Sequence, residues 1–485
     1  MVDDSIVRID ILDHADFCGE FRADRFIPGL RKFYNAIESV RSLNPENTLL
    51  LDAGDEINRL LWHGKDVLDG ISLIGTDAWS LGNHEFDKGR EHLQENIDYI
   101  CGTIPVLCAN IVLKENGELI RNVRPYQIFE KSAIKIGVIG VCTEYSERMI
   151  TYPNFEPFKA ISAAEAIRQY TNELKSNDVD IVIVLAHIGA TETDGVQHGE
   201  LFELLEKIKD LPIDLLIGGH TNGDIAQEYN GIMVNKGGFS GKSLIHTVLY
   251  FDRENRKIVR KEAEVLYPLE DKYNMPVDRI DSFVTKVLEP FDSVFNDSFA
   301  LAKEDLLMNY HGESAMGNML ADAVREAVGT DFAYFNTTSC GPIIPVGNIT
   351  RYTLKQAVYF DEYVCVTEMT VGQIRQLFSD MLDPQIYSKN LNMFFSGLRI
   401  AVDTNAEKSV DMIRVFDYSN TELPDDRLLK VATSEYMASG GNDTRKIAHS
   451  CKWTVSNTRI HEAIENYLRK IKVIDNHIDG RFIQK

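Results

Sequence analysis

The chain is predicted to be an α/β protein built from two layered units. Three observations carry this. The first half alternates short apolar, β-rich runs with amphipathic helical segments, the pattern of strands packed under helices. A helical connector follows, and a second alternating stretch opens after residue 302. The length of 485 residues suits two or three domains, and 44% hydrophobic with 26% charged residues excludes a disordered or fibrous chain.

The strand candidates of the first half are Val7–Leu12, Thr48–Asp52, Asp77–Ser80, Val106–Asn110, Ile134–Val141, Ile181–Ala186, Leu215–Gly218, Met233–Asn235 and Leu244–Phe251. Each is a short apolar or β-branched run bounded by turn residues. Gly29–Val40 and Ala163–Leu174 have apolar residues at helical spacing. The stretch Asp252–Glu264 is charged, and Val277–Leu301 reads as one long helix broken near Pro290. Glu313–Val328 then reads as a helix stopped by Gly329, followed by strand-like runs at Phe332–Phe335, Tyr363–Met369, Gly397–Val402 and Leu428–Thr433. The expected organisation is a first domain over 1–270, a helical linker over 271–302 and a second domain over 303–485.

Lys plus Arg number 51 and Asp plus Glu 74, a net charge of −23. Such a surface repels phosphate backbones and anionic lipid, so neither a nucleic-acid polymer nor a membrane is expected as a partner. A small anionic substrate would then need a local positive charge, which a metal ion can supply. The seven cysteines are odd in number and mostly lie in apolar runs, which reads as reduced thiols. With Asp3, Asp4, Asp10 and Asp13 near the N-terminus there is no signal-peptide pattern, and a cytoplasmic location is expected. Oligomeric state has no signature in the sequence.

Five patches carry the chemistry. Each is an apolar strand that ends in residues able to bind metal: Asp16-Phe17-Cys18-Gly19, Asp52-Ala53-Gly54-Asp55, Gly82-Asn83-His84-Glu85-Phe86-Asp87, His187, and Gly218-Gly219-His220-Thr221-Asn222. In open α/β sheets the carboxyl ends of strands form the ligand crevice. Carboxylate, amide oxygen and imidazole together suit hard and borderline divalent cations such as zinc or manganese. Two such ions would sit ~3.5–4 Å apart across a shared carboxylate, for which Asp55 is the candidate. One ion would take Asp55, Asn83, His187 and His220. The other would take Asp16 and Asp55 with Cys18 and Asn222.

The patches GD, GNHEFD, AH and GGHT, in this order, resemble those of the calcineurin-like metallophosphoesterases. Glu313-Ser314-Ala315-Met316-Gly317-Asn318-Met319-Leu320-Ala321-Asp322 resembles the ESxxGNLxAD helix that opens the C-terminal domain of 5′-nucleotidases, and Ser439-Gly440-Gly441 that domain's SGG loop. The resemblance spans nearly the whole chain. It implies a four-layer metallophosphoesterase-type β-sandwich flanked by helices, then a helical linker and an α/β (α+β) substrate domain. It further implies a two-metal hydrolase of phosphate esters, acting on a nucleotide or a similar small ester held between the domains. His84 would reach the phosphate or leaving group, and Asp87 would orient its imidazole.

The departures from the family pattern are local. The usual DxHG reads Asp16-Phe17-Cys18-Gly19, and the usual GGHTH ends in Asn222. Both changes fall on one metal position, so one site is expected intact and the other altered, with Cys18 as a thiolate ligand or Asn222 as a neutral oxygen. In the second domain the family's first arginine falls near Tyr310 or His311. Its NSGGIR loop reads Asn336-Thr337-Thr338-Ser339-Cys340-Gly341. One stacking aromatic aligns with Asn392, beside Phe394 and Phe395, and the other is Tyr436; GGDG reads Gly440-Gly441-Asn442-Asp443. Asn336, Phe395, Tyr436 and Asn442 are therefore the substrate-binding candidates. Each base stack is worth ~1–3 kcal/mol, so these losses predict an altered specificity. The alternative reading is a catalytically impaired relative that keeps one metal and acts in ligand binding or interaction.

Overall fold

The computed structural model describes residues 5–57, 64–151, 153–193, 196–310, 312–382, 391–404, 410–442 and 444–484. The chain divides into two compact units, Met1–Pro290 and Phe291–Lys485.

The first unit holds a seven-stranded and a six-stranded sheet. In the first sheet, Ile6–His14, Thr48–Asp52, Ala78–Ser80 and Val106–Leu107 lie side by side and parallel. In the second, Ile181–His187 runs parallel to both Ile134–Cys142 and Leu215–Gly218. The inner faces of the two sheets share one apolar core, with Ile9, Ile11, Leu49 and Leu51 from one side and Ile136, Val138, Ile183 and Leu185 from the other. The helices Ala163–Ser176 and Glu200–Ile208 pack on the outer face of the second sheet. The helix Gly89–Ile100 covers part of the outer face of the first. This is the helix–sheet–sheet–helix arrangement expected. The strands are almost wholly apolar because both of their faces are covered.

Within the charged stretch after Asp252 begins a further strand, Lys257–Leu266, at the edge of the seven-stranded sheet. Its charges suit an edge, where they block pairing with other chains. The helix read over Val277–Leu301 runs from Asp278 to Leu288, breaks at Pro290 as expected, resumes over Asp292–Asn296 and does not reach Leu301. Pro290 has no N–H to continue it, and Ser298–Ala302 is a strand paired with Gly347–Thr350. Tertiary pairing overrides the helical spacing there.

The second unit centres on a five-stranded sheet in the order Met393–Ser396, Phe332–Asn336, Leu428–Ser434, Tyr363–Thr370, Thr454–Arg459. The helix Ala315–Val328 begins where the Ser314 side chain accepts the Gly317 N–H at 3.1 Å, and it ends at Gly329 with φ of 62°. Gly329 is the stop signal read from the sequence, and Ser314 is the N-cap. The buried Arg481 guanidinium is clamped by Asp322 at 2.6 Å and Asp479 at 2.9 Å.

Candidate metal centre

The parallel strands of the first unit end together. Asp52, Ser80, His187 and Gly218 are the last residues of four of them. The turns that follow bring Asp55, Asn83 and His220 to the same edge. These turns are tight: Asp16, Asp55 and His220 all have φ between 55° and 69°. Left-handed conformations in non-glycine residues persist only where neighbours hold them. Here they are held. Asp16 N–H donates to Gly54 O at 2.8 Å, and Asp16 O accepts the Ser240 N–H at 2.6 Å. The Glu85 carboxylate accepts the amides of Asp55, Ile57 and Gly82 at 3.0, 3.1 and 2.6 Å. Gly82 has to be glycine, because a Cβ there would lie 2.2 Å from Asp55 Oδ1.

Asp55, His187 and His220 each turn one ligand atom inward, and these atoms lie within 4.8 Å of one another. His187 Nδ1 lies 2.8 Å from Ala53 O, which selects the tautomer that donates there and leaves Nε2 to face Asp55 Oδ2 at 3.1 Å. Asn83 is fully buried, and neither its Oδ1 nor its Nδ2 has a hydrogen-bond partner. His220 Nδ1 is likewise buried without one. Buried polar atoms without partners are costly, and a divalent cation among them would satisfy several at once. The donor set fits such an ion.

The Asp55 carboxylate and the His187 imidazole hold each other charged, so an ion bound at Nε2 would displace a proton. Burial would raise the Asp55 carboxyl, but His187, His84 and His220 overcome it and hold the pKa below the usual range. Burial would lower His187, but Asp55, Asp16 and Glu85 carry it up to about 10. His220 is driven down to about 3 by burial and by the His187 charge. One imidazole thus stays neutral beside a carboxylate, the state in which imidazole binds metal. Beside this group stands His84. Its Nδ1 is 2.8 Å from Asp87 Oδ2, and its Nε2 is 4.0 Å from Asp55 Oδ2.

The other predicted ligands lie outside this three-residue group. Asp16 is buried, but its Oδ2 accepts the His220 N–H at 2.9 Å. Cys18 is buried and forms no group with two further His, Cys, Asp or Glu ligand atoms among the described residues. Asn222 is exposed. The loop around it is organised by a residue that sequence reasoning missed. The Lys236 Nζ donates to the carbonyls of Thr221, Asn222 and Gly223 at 2.8, 2.9 and 2.5 Å. Burial lowers this amine to about 8 against the pull of Asp16 and Asp224. Lys236 ends the strand Ile232–Lys236, so the strand-end rule that found the other residues could have found it.

In the second unit, Asn336 ends its strand and its Nδ2 donates to Thr338 Oγ1 at 2.8 Å. Asn442 N–H donates to Tyr436 Oη at 3.0 Å, and Gly441 lies against the Tyr436 ring. Phe395 packs in the core against Phe378 and Phe332 at 5.1 and 6.1 Å, not at a surface open to a ligand. The alternation of the strand decides this: Phe394 faces the other side, toward Phe335. Tyr310 Oη donates to Cys340 O at 3.1 Å, while His311 and Asp443 lie outside the described residues.

Comparison with known proteins follows the same division. Residues 27–224 match the calcineurin-like phosphoesterase family and residues 299–449 the 5′-nucleotidase C-terminal domain. Endonuclease YhcR of Bacillus subtilis is 26% identical over 411 residues, 81% of this chain and 33% of that protein. The chain thus spans about a third of that relative's length. A 5′-nucleotidase of Diplobatis ommata is 24% identical over 94% of this chain and 84% of its own length. The crystal structure of a 5′-nucleotidase precursor from Thermus thermophilus covers 99% of both chains, with a TM-score of 0.85 at 19% identity. The two domain types are matched in chain order, one on each side of Pro290: the chain consists of a calcineurin-like phosphoesterase domain followed by a 5′-nucleotidase C-terminal domain.

Proposed function

We propose that the chain hydrolyses small phosphate monoesters, nucleotides foremost, at the Asp55, Asn83, His187 and His220 cluster with a divalent ion held there. The observation that carries this is the placement of His84 beside the cluster with Asp87 behind it. Asp87 at 2.8 Å orients the imidazole and leaves Nε2 on the Asp55 side, 4.0 Å from its Oδ2. A structural histidine has no need of that alignment. The His84 amide also donates to Asp55 Oδ1 at 2.9 Å, so ligand and imidazole are fixed together.

A divalent ion bound by the cluster supplies positive charge against the phosphoryl oxygens and lowers the pKa of a water. His187 is locked by Ala53 O and keeps Nε2 directed at the cluster. His84 Nε2–H stabilises the charge that develops on the phosphoryl group and hands its proton to the leaving oxygen. Glu85 holds the Asp55 and Gly82 amides and so ties together the two turns that carry Asp55 and His84.

The test is phosphate release from mononucleotides, cyclic nucleotides and sugar phosphates by protein reconstituted with manganese or zinc. Turnover that His84→Ala removes is expected. No release from any ester with either metal would refute the proposal. It would favour the second reading, an impaired relative that binds without turnover, which the exposure of Asn222 and the position of Cys18 outside the ligand groups support.

A further inference from the structure

Three buried side chains that the proposed reaction does not use face one another beside the same strand ends. His14 is the last residue of Ile6–His14 and Asp52 the last of Thr48–Asp52, and the parallel register pairs them directly. Glu56 follows on the turn after Asp55. Their exposures are 1%, 0% and 0%, and one ligand atom from each lies within 4.8 Å of the others. His14 Nδ1 stands 3.7 Å from Glu56 Oε1. The edge of His14 meets the Phe33 ring, with centroids 5.0 Å apart, so the imidazole is packed in place.

Only two of the six polar side-chain atoms of this group have hydrogen-bond partners. Asp52 Oδ1 accepts the Gly54 N–H at 2.9 Å, and Glu56 Oε1 accepts the Phe17 N–H at 3.2 Å. Both ring nitrogens of His14, Asp52 Oδ2 and Glu56 Oε2 have no hydrogen-bond partner. Two carboxyls and an imidazole sealed from water with their remaining atoms unpaired are among the least favourable things a core can hold. A protein tolerates them when a cation completes the set. Metal bonds of ~2.0–2.2 Å in a tetrahedron place donor atoms ~3.3–3.6 Å apart, close to the 3.7 Å between His14 and Glu56.

We propose that His14, Asp52 and Glu56 hold a divalent first-row transition-metal ion at a site separate from the Asp55 cluster. One nitrogen and two oxygens suit zinc, manganese or ferrous iron. The enclosure of all three ligands gives the site a structural character. The ion would tie the end of one strand to the turn that carries Asp55, since Asp52 and Glu56 flank that residue. The inference does not rest on turnover, because it concerns other residues and has its own readout.

The test is metal content. The full-length chain is stripped with a chelator, equilibrated with Mn²⁺ alone, gel-filtered and analysed by mass spectrometry of the metal. The unaltered chain is expected to keep two equivalents, and Asp52→Asn, Glu56→Gln and His187→Ala one each. A single equivalent in the unaltered chain that Glu56→Gln keeps and His187→Ala loses would overturn the proposal. Should the two carboxamide variants fail to fold, crystals of the unaltered chain grown with Mn²⁺ decide. An anomalous peak among His14, Asp52 and Glu56 supports the site, and its absence at full occupancy of the Asp55 cluster overturns it.

Discussion

Asp55 stands between two sets of candidate ligands that the fold treats differently. On one side, the ligand atoms of Asp55, His187 and His220 lie within 4.8 Å of one another, and the buried Asn83 amide has no partner. On the other side, Asp16 Oδ2 is taken by the His220 amide, Cys18 joins no ligand group among the described residues, and Asn222 is exposed on a loop whose carbonyls Lys236 already holds. The difference teaches that residues matched by position alike are not brought together alike. Convergence of orphaned donors marks the His187 side.

The largest expected effect comes from the shared residue. Asp55→Asn should lower phosphate release by about 10³-fold or more, because it weakens the ion and frees the His84 amide together. Steady-state kinetics with manganese check it. Next, His84→Ala should lower kcat by about 10²–10⁴-fold while metal content stays that of the unaltered chain. Asp87→Asn should cost about 10-fold, as loss of an orienting partner does.

A smaller effect lies on the other side. Lys236→Met should change turnover less than about 10-fold, roughly the loss of one hydrogen-bonded support, and its signature is in pH. The folded pKa is about 8, and an unfolded lysine keeps its proton to about 10.4. Between those values the unfolded chain binds more protons, so the Lys236 contribution to stability rises with pH across that window. Urea midpoints measured through the window should show this slope in the unaltered chain and lose it in the variant.

The smallest effect on activity is expected outside both sets. Buried Asp10 accepts from His246 at 2.7 Å, and burial, which would raise its pKa, is outweighed by His246, Arg8 and Asn44, leaving it at about 2. His246→Gln should cost about 1–3 kcal/mol of stability with phosphate release unchanged. The loss should be seen above about pH 4, where Asp10 is charged in both states, and should fade as pH falls toward about 2.

Much of this was legible in the chain. Apolar runs such as Leu49-Leu50-Leu51 and Ile181–Ala186 are strands because both sheet faces are covered, and of the polar residues that follow such strands Asp55, His187 and His220 come together. What stayed hidden depends on pairing and on faces. His14 and Asp52 become neighbours only through the register of two parallel strands with a helix between them in the chain, which no local pattern displays. Phe394 and Phe395 are equivalent by composition, and only the phase of their strand separates them. Ser298–Ala302 is drawn from helix to strand by Gly347–Thr350, far along the chain.

The most direct test compares His187→Ala with Cys18→Ala, measuring bound manganese and phosphate release on the same samples. The account predicts that His187→Ala loses one equivalent of metal and its turnover, whereas Cys18→Ala keeps both within about twofold, as a buried thiol that ligates no metal should. Loss of metal and turnover in Cys18→Ala, with both retained in His187→Ala, would contradict it.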